Sequence, residues 1–250
     1  MLPKTEGFVK DSNELVLFKF DNLDEYIQSE RFKKIKMFQL WPDEFEIWKK
    51  DLTDRGLNLL YGKSMHVILD IQPSFFSLEG KEYSKLRRYR NMYTTKFPLE
   101  VKEEPNSIEE IYEFIKLWKV VRKDAHFQFV TGYDINFINN YYDKIRDKLI
   151  ALYFYYEGNM IGFTIIEEVN KTFYNLLFRK TDTRFINSSL YVDYYSFKYI
   201  YDKIGVPFHF NMGGDIGSKK LRMYKEQSFN IPFFDLITYD IKILQECEEK

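Results

Sequence analysis

The sequence predicts a mixed α/β protein whose strands form a mostly antiparallel sheet flanked by helices. Its apolar residues switch repeatedly between helical spacing and strand alternation, and pairs of turn-forming residues separate the segments. Hydrophobic residues make up 45% of the 250, enough for a packed core. Residues 1–98 form a smaller α/β part. Leu15 to Phe20 reads as a strand, Leu23 to Phe32 as a helix, and Ile35 to Leu40 as a strand. Pro42 to Asp54 is a helix that Gly56 ends, His66 to Ile71 another strand, and the basic run Gly80 to Lys96 a helix. No Pro/Ser-rich linker precedes Leu99, so the expected division into 1–98 and 99–250 has no compositional marker.

From Leu99 the pattern is clearer. Leu99 to Lys102 alternates as a short strand, and Pro105 with Asn106 breaks it. Ser107 and Glu110 make a capping box for a helix whose apolar face is Ile108, Ile111, Tyr112, Ile115 and Trp118. Asp134 caps a second helix, with Ile138, Tyr141, Tyr142, Ile145 and Leu149 on one face. Ile150 to Tyr156, Met160 to Glu168 and Thr172 to Arg179 form an antiparallel meander, joined at Gly158-Asn159 and Asn170-Lys171. A helix from Ser189 to Lys203 follows, then a strand, a Gly-rich turn, a helix and a last strand from Pro232 to Tyr239.

Composition excludes several function classes. With 37 basic against 38 acidic residues there is no net field to attract nucleic acid or an anionic membrane, so such a contact must come from a local patch. The single cysteine, Cys247, rules out an intramolecular disulfide and a cysteine metal site, and favours a reducing, cytoplasmic setting. His66, His126 and His209 lack metal-ligand spacing, and no metal is expected. No apolar run is long enough for an integral membrane helix. Aromatics reach 19%, but they rise together with Ile, Asn and Lys, as in an AT-rich genome, which weighs against a stacking surface.

The most informative stretch is Phe208 to Phe229. An apolar strand ends in Gly213 and Gly214, which accept positive φ, and Ser218 caps a helix carrying Leu221 and Tyr224. A strand that ends in glycine before a helix leaves amides free for an anion, or is simply a tight turn. Asp215 in that turn either accepts a proton or stabilises the turn through its own backbone. Tyr224 is either a general acid or a helix aromatic facing the core. The basic helix with Lys81, Lys85, Arg87, Arg88 and Arg90, followed by Lys96, either grips phosphates or presents a solvated face.

Two pairs of motifs resemble the GNAT acyltransferases. The order strand, two helices, three strands, helix, strand, helix, strand over Leu99 to Tyr239 is theirs, and residues 1–98 then look like an incomplete GNAT-like part. Arg184 to Ser189, RFINSS, occupies the place of the Arg/Gln-x-x-Gly-x-Gly/Ala loop, with Asn187 and Ser189 in place of both glycines. LRMYKEQSF, Leu221 to Phe229, is similar to Leu-Tyr-x-x-x-Gly-Phe, with Ser228 replacing the glycine. Leu86, Arg87, Arg88 and Asn91, read with Asn211, Gly213, Asp215, Gly217, Leu221, Arg222 and Lys225, resemble paired signatures of Fem-type aminoacyltransferases and the C-terminal domain of phosphatidylglycerol lysyltransferases.

The resemblance implies an N-acyltransferase or aminoacyltransferase that passes a group from acyl-CoA or aminoacyl-tRNA to an amine or hydroxyl, with no permanently bound cofactor. It implies donor phosphate binding at Arg184, Asn187, Ser188 and Ser189, or else that Asn187 or Ser188 only caps the helix. It implies substrate positioning by Asn211, Gly213, Gly214, Arg87 and Arg88, and chemistry at Tyr224, Lys225 and Asp215. The expected partners are the activated donor and transfer RNA, with the protein a monomer or weak homodimer. The rival reading is a catalytically inactive GNAT-like module that binds RNA or a protein.

Overall fold

The computed structural model describes residues 8–11, 14–17, 34–121, 138, 149–215 and 218–244. They divide into two compact units, with the divisions at His66/Val67 and Asp235/Leu236. The helix expected over Leu23 to Phe32, and all but Ile138 and Leu149 of the one expected from Asp134, lie outside the described residues.

The first unit contains β1 (Phe8–Asp11), β2 (Glu14–Leu17), β3 (Lys34–Leu40) and α1 (Pro42–Asp54), with parts of β4 (Asn58–Ile71) and β10 (Phe233–Leu244). β1 and β2 are antiparallel, β2 and β3 parallel, and β3 and β10 antiparallel. The α1 helix follows from Pro42 at its first position and from Glu44, whose carboxylate accepts the Trp41 amide at 3.0 Å. Its buried Phe45 and Leu52 complete a core with Ile35, Leu40, Ile241 and Ile243.

The second unit holds the rest of β4, a 3₁₀ turn at Pro73–Ser77, α2 (Ser84–Asn91), a π-helical turn at Met92–Lys96, β5 (Glu100–Lys102) and α3 (Ile108–Val121). Next come β6 (Leu149–Tyr156), β7 (Asn159–Asn170), β8 (Phe173–Thr181) and α4 (Ser188–Ile204). Then β9 (Phe208–Gly214) and α5 (Lys219–Gln227) lead into β10. Its strands lie in the order β4-β9-β8-β7-β6-β5. β5 to β8 are antiparallel, and β8 with β9 is parallel, as a strand-helix-strand crossover requires. The boundary expected between residues 98 and 99 does not coincide with the observed division, because Phe75, Leu78 and Leu86 pack in one core with Leu190 and Phe197 of α4.

Local differences have simple causes. The β6–β7 turn is Glu157-Gly158, not Gly158-Asn159: Tyr156 pairs with Asn159, and both turn residues have positive φ, +49° and +77°. The basic helix starts later than expected, at Ser84, because Gly80 takes a positive φ of +100°, and it passes into the π-helical turn at Met92–Lys96. Ser107 accepts the Glu110 amide at 3.3 Å as expected, but the Glu110 carboxylate turns to the Tyr155 hydroxyl at 2.8 Å and the Asn106 amide.

The main core of this unit lies between the sheet and α4. Val67, Leu69 and Ile71 of β4, Phe208, Phe210 and Met212 of β9, and Leu190, Tyr194, Phe197 and Ile200 of α4 are all buried there. By alternation along β9, His209 and Asn211 project from the opposite face.

Candidate functional site

The parallel pairing of β8 and β9 covers three residue pairs, Phe173 with His209, Tyr174 with Phe210 and Asn175 with Asn211. Past Asn175 and Asn211, β8 runs on to Thr181 and β9 to Gly214 without further register. A polar row crosses the sheet where the pairing ends. The Asn211 side-chain amide donates to Asn175 Oδ1 at 3.1 Å, and Asn175 donates to Glu167 Oε2 at 3.0 Å. Asn211 Oδ1 accepts the Gly213 amide at 2.8 Å, so Asn211 shapes the turn directly.

Beyond that row three charged or polar groups, Arg179, Asp193 and Tyr224, converge, and the first two carry no motif. Arg179 extends from β8. Asp193 stands on the face of α4 that also presents Leu190, Tyr194 and Phe197, and is only 2% exposed. Arg179 makes a short ion pair with Asp193 Oδ2, the Tyr224 hydroxyl donates to the same oxygen at 2.7 Å, and the guanidinium lies 4.9 Å from the Tyr224 ring centre. Signals for both residues were present: an acidic residue on an otherwise apolar helical stripe, and an arginine inside a meander strand.

Burial pushes the Tyr224 phenol well above its ordinary value, and the Asp193 charge pushes it further. Burial likewise pushes the Asp193 carboxyl up, against the pull of Arg179. With two donors converging on one oxygen, the carboxylate is the form this cluster satisfies. Burial opposes the Arg179 charge, but Asp193 and Tyr224 more than offset it and raise its pKa. Burial and then Arg179 lower the Lys225 ammonium to about 7, while Asp193 and Asp215 act in the other direction.

The expected residues fall into three groups. Tyr224, Lys225, Asn211, Gly213, Gly214 and Asp215 come together around the end of β9. Lys225 is 5% exposed and donates to the carbonyls of Met212, Gly213 (2.9 Å) and Gly214 (2.7 Å). Asp215 is half-buried, and its carbonyl accepts the Ser218 amide at 2.9 Å. Ser218 caps α5 through the Leu221 amide at 3.3 Å, as the sequence indicates.

The second group is the β8–α4 loop. Asn187 takes the left-handed conformation at φ +51°, doing what a glycine does at that place. Arg184, however, donates through Nε and Nη2 to the buried Asp182 carboxylate, at 2.9 and 2.6 Å. Ser188 donates to the Asp182 carbonyl at 3.0 Å, and Ser189 shares a 2.6 Å hydrogen bond with Thr181.

The third group is α2. Arg87 donates to the carbonyls of Leu78 and Gly80, which fixes the left-handed turn before the helix, whereas Arg88 is exposed beside the Tyr89 ring. Among the described residues no group of three or more His, Cys, Asp or Glu could hold a metal, and no helix is long and apolar enough to cross a membrane.

No family model matches the chain, and no curated protein sequence matches it either. Solved structures do. The chain superposes on L-PGS from Bacillus licheniformis with a TM-score of 0.59 at 15% identity, covering 96% of this chain and 81% of that one. A conserved protein of unknown function from Bacteroides thetaiotaomicron gives a TM-score of 0.57 at 16% identity, with 93% and 79% covered. The C-terminal domain of a proposed lysylphosphatidylglycerol synthetase from Agrobacterium fabrum gives 0.55 at 12%, with 96% and 80% covered. Together with the β6–β7–β8 meander and the brief parallel pairing of β8 and β9, these likenesses give the chain a GNAT-like fold of mixed, mostly antiparallel sheet and flanking helices.

Proposed function

We propose that this protein is an acyltransferase, passing an acyl or aminoacyl group from acyl-CoA or aminoacyl-tRNA to an amine or hydroxyl acceptor. The observation that carries the reading is the Arg179, Asp193 and Tyr224 cluster, with Lys225 beside it, where β8 and β9 cease to pair. The Arg179 guanidinium, which has more N–H donors than its one carboxylate partner can use, favours the negative charge that develops on a carbonyl oxygen under attack. In the reaction the acceptor nitrogen or oxygen bonds to the donor carbonyl carbon, the bond to the donor's sulfur or oxygen breaks, and one proton moves to the departing atom. Tyr224 supplies that proton, and Asp215 takes up the one the acceptor loses.

The high phenol pKa bears on the donor. A weak acid protonates a strongly basic alkoxide better than a thiolate, which needs little help. That favours an aminoacyl ester over a thioester, as does the engagement of Arg184 by Asp182. The Agrobacterium fabrum fold neighbour, named for lysylphosphatidylglycerol synthesis, is in keeping with this choice. In this reading the protein works in the cytoplasm, as a monomer or weak homodimer, without a permanently bound cofactor.

The test is mass spectrometry of donor and product after incubation with acyl-CoAs or charged transfer RNAs. The native protein consumes a donor, and Tyr224→Phe slows this by about 10² to 10⁴-fold. A native protein that binds neither donor overturns the proposal. It would leave the inactive module that binds RNA or a protein, a reading favoured by the full engagement of Lys225 and Arg87 with backbone carbonyls.

A further inference from the structure

Successive carbonyls of an extended strand point in opposite directions. At the end of β9 they do not: the carbonyls of Met212, Gly213 and Gly214 all accept from one nitrogen, Lys225 Nζ. The convergence depends on Gly213, at φ +74°, whose amide is in turn held by Asn211 Oδ1. A Cβ built on Gly213 would meet only Lys225 Nζ, at 3.7 Å, an ordinary contact, so the glycine serves the conformation and not the space. Three carbonyl oxygens around a buried centre make a site for a monovalent cation. A hard divalent ion would draw carboxylates into its shell.

The charges facing this centre are Arg179 from β8, Asp193 from α4, Asp215 from the turn and Arg222 from α5. Two are of each sign and roughly cancel, so the carbonyls hold the ammonium against the burial that lowers its pKa to about 7, and the ion is resident at and below that pH. An ammonium has three N–H donors and three acceptors meet it, so the match is complete.

We propose that the carbonyls of Met212, Gly213 and Gly214 form a monovalent-cation site whose resident ion is the tethered ammonium of Lys225. By filling it, Lys225 fixes the turn after Asn211 and the seating of α5, and so sets Tyr224 against Asp193. Lys225 is then a positioning residue. Its head group is spent on the protein's own backbone, and any free primary ammonium of the right length takes its place. The inference does not rest on the transferase reading, because neither the site nor its test involves a substrate.

The experiment uses the full chain with Lys225→Ala, which removes a fragment equivalent to n-propylammonium. Gly213 amide exchange, followed by NMR, accelerates in this variant by about 10- to 100-fold, the worth of a charge-assisted hydrogen bond. At pH 6, n-propylammonium chloride restores the protection and raises the melting temperature saturably. Tetramethylammonium chloride, with no N–H, does neither, and the native protein responds to neither salt. Absence of saturable rescue overturns the proposal. Lys225→Met gives an independent reading: it fills the volume without the charge and shows the same loss of Gly213 protection. A Met variant that keeps native protection refutes the proposal even if the Ala variant fails to fold.

Discussion

At the scale of single residues, the charged cluster obeys the rule that a buried ion must be paired and hydrogen-bonded. Asp193 sits among Leu190, Tyr194 and Phe197 only because Arg179 and Tyr224 reach its carboxylate. The sequence made Tyr224 and Lys225 visible through the motif around them. Arg179 and Asp193 were invisible as a pair, since nothing in two residues 14 apart announces that a strand and a helix will bring them together. Lys225 leads to a pH prediction. Its pKa is about 7 in the folded protein, below the ordinary 10.5, so between these values the unfolded chain binds more protons and stability rises with pH. The slope attributable to this group is at most about 1.4 kcal/mol per pH unit. Urea unfolding at pH 6 to 9 is expected to show that rise in the native protein relative to Lys225→Met. The Gly213 and Gly214 amide resonances are expected to titrate near pH 7 only when Lys225 is present. Equal pH profiles for the two proteins would contradict the assignment.

At the scale of elements, turn chemistry and helix caps were legible, while registers and side-chain partners were not. The β9–α5 segment was the best case: the strand, the Gly-rich turn, the Ser218 cap and the helix all stand within a residue or two of expectation. The β6–β7 turn shows the limit. Gly158 marks it, but only the cross-strand pairing shows that Glu157, a residue without turn preference, takes the first left-handed position. Arg87 marks another. Its motif suggested a ligand contact, yet its fork closes on the Leu78 and Gly80 carbonyls, groups a helix-forming sequence would otherwise have satisfied itself. Gly213 and Gly158 make a matched pair for a test. Both have positive φ, +74° and +77°, and neither lacks room for a Cβ. Replacing either with Ala is expected to cost about 1–2 kcal/mol from backbone conformation. The substitution at Gly213 alone should also loosen the Lys225 cage and speed exchange of its own amide. Urea midpoints compared with Gly213 exchange in both variants check this, and an equal exchange response in the two would count against the special role of the β9 turn.

At the scale of the whole molecule, the order of the described elements after Leu99 was legible because the apolar period changes cleanly between strand and helix there. The division into units was not, because it falls inside the continuous strands β4 and β10, where neither composition nor chain breaks mark it. The high aromatic content also finds its explanation here. Phe197 of α4 has the rings of Phe210 and Phe229 at 4.8 and 5.2 Å and that of Phe75 at 6.3 Å, so one side chain joins β9, the segment after α5 and the 3₁₀ turn. Such rings build a core by edge contacts rather than offering a flat surface for bases. Phe197 is fully buried and in edge contact with two further buried rings. Phe197→Ala should therefore fall in the range of buried aromatic truncations, about 3–5 kcal/mol. Ile47→Ala, at a position 68% exposed on α1, should stay within about 0.5 kcal/mol of the native protein. Denaturant unfolding followed by near-ultraviolet circular dichroism reads both. A loss at Phe197 no larger than at Ile47 would mean that the aromatic network does not bind these elements together, and that the enriched rings reflect composition alone.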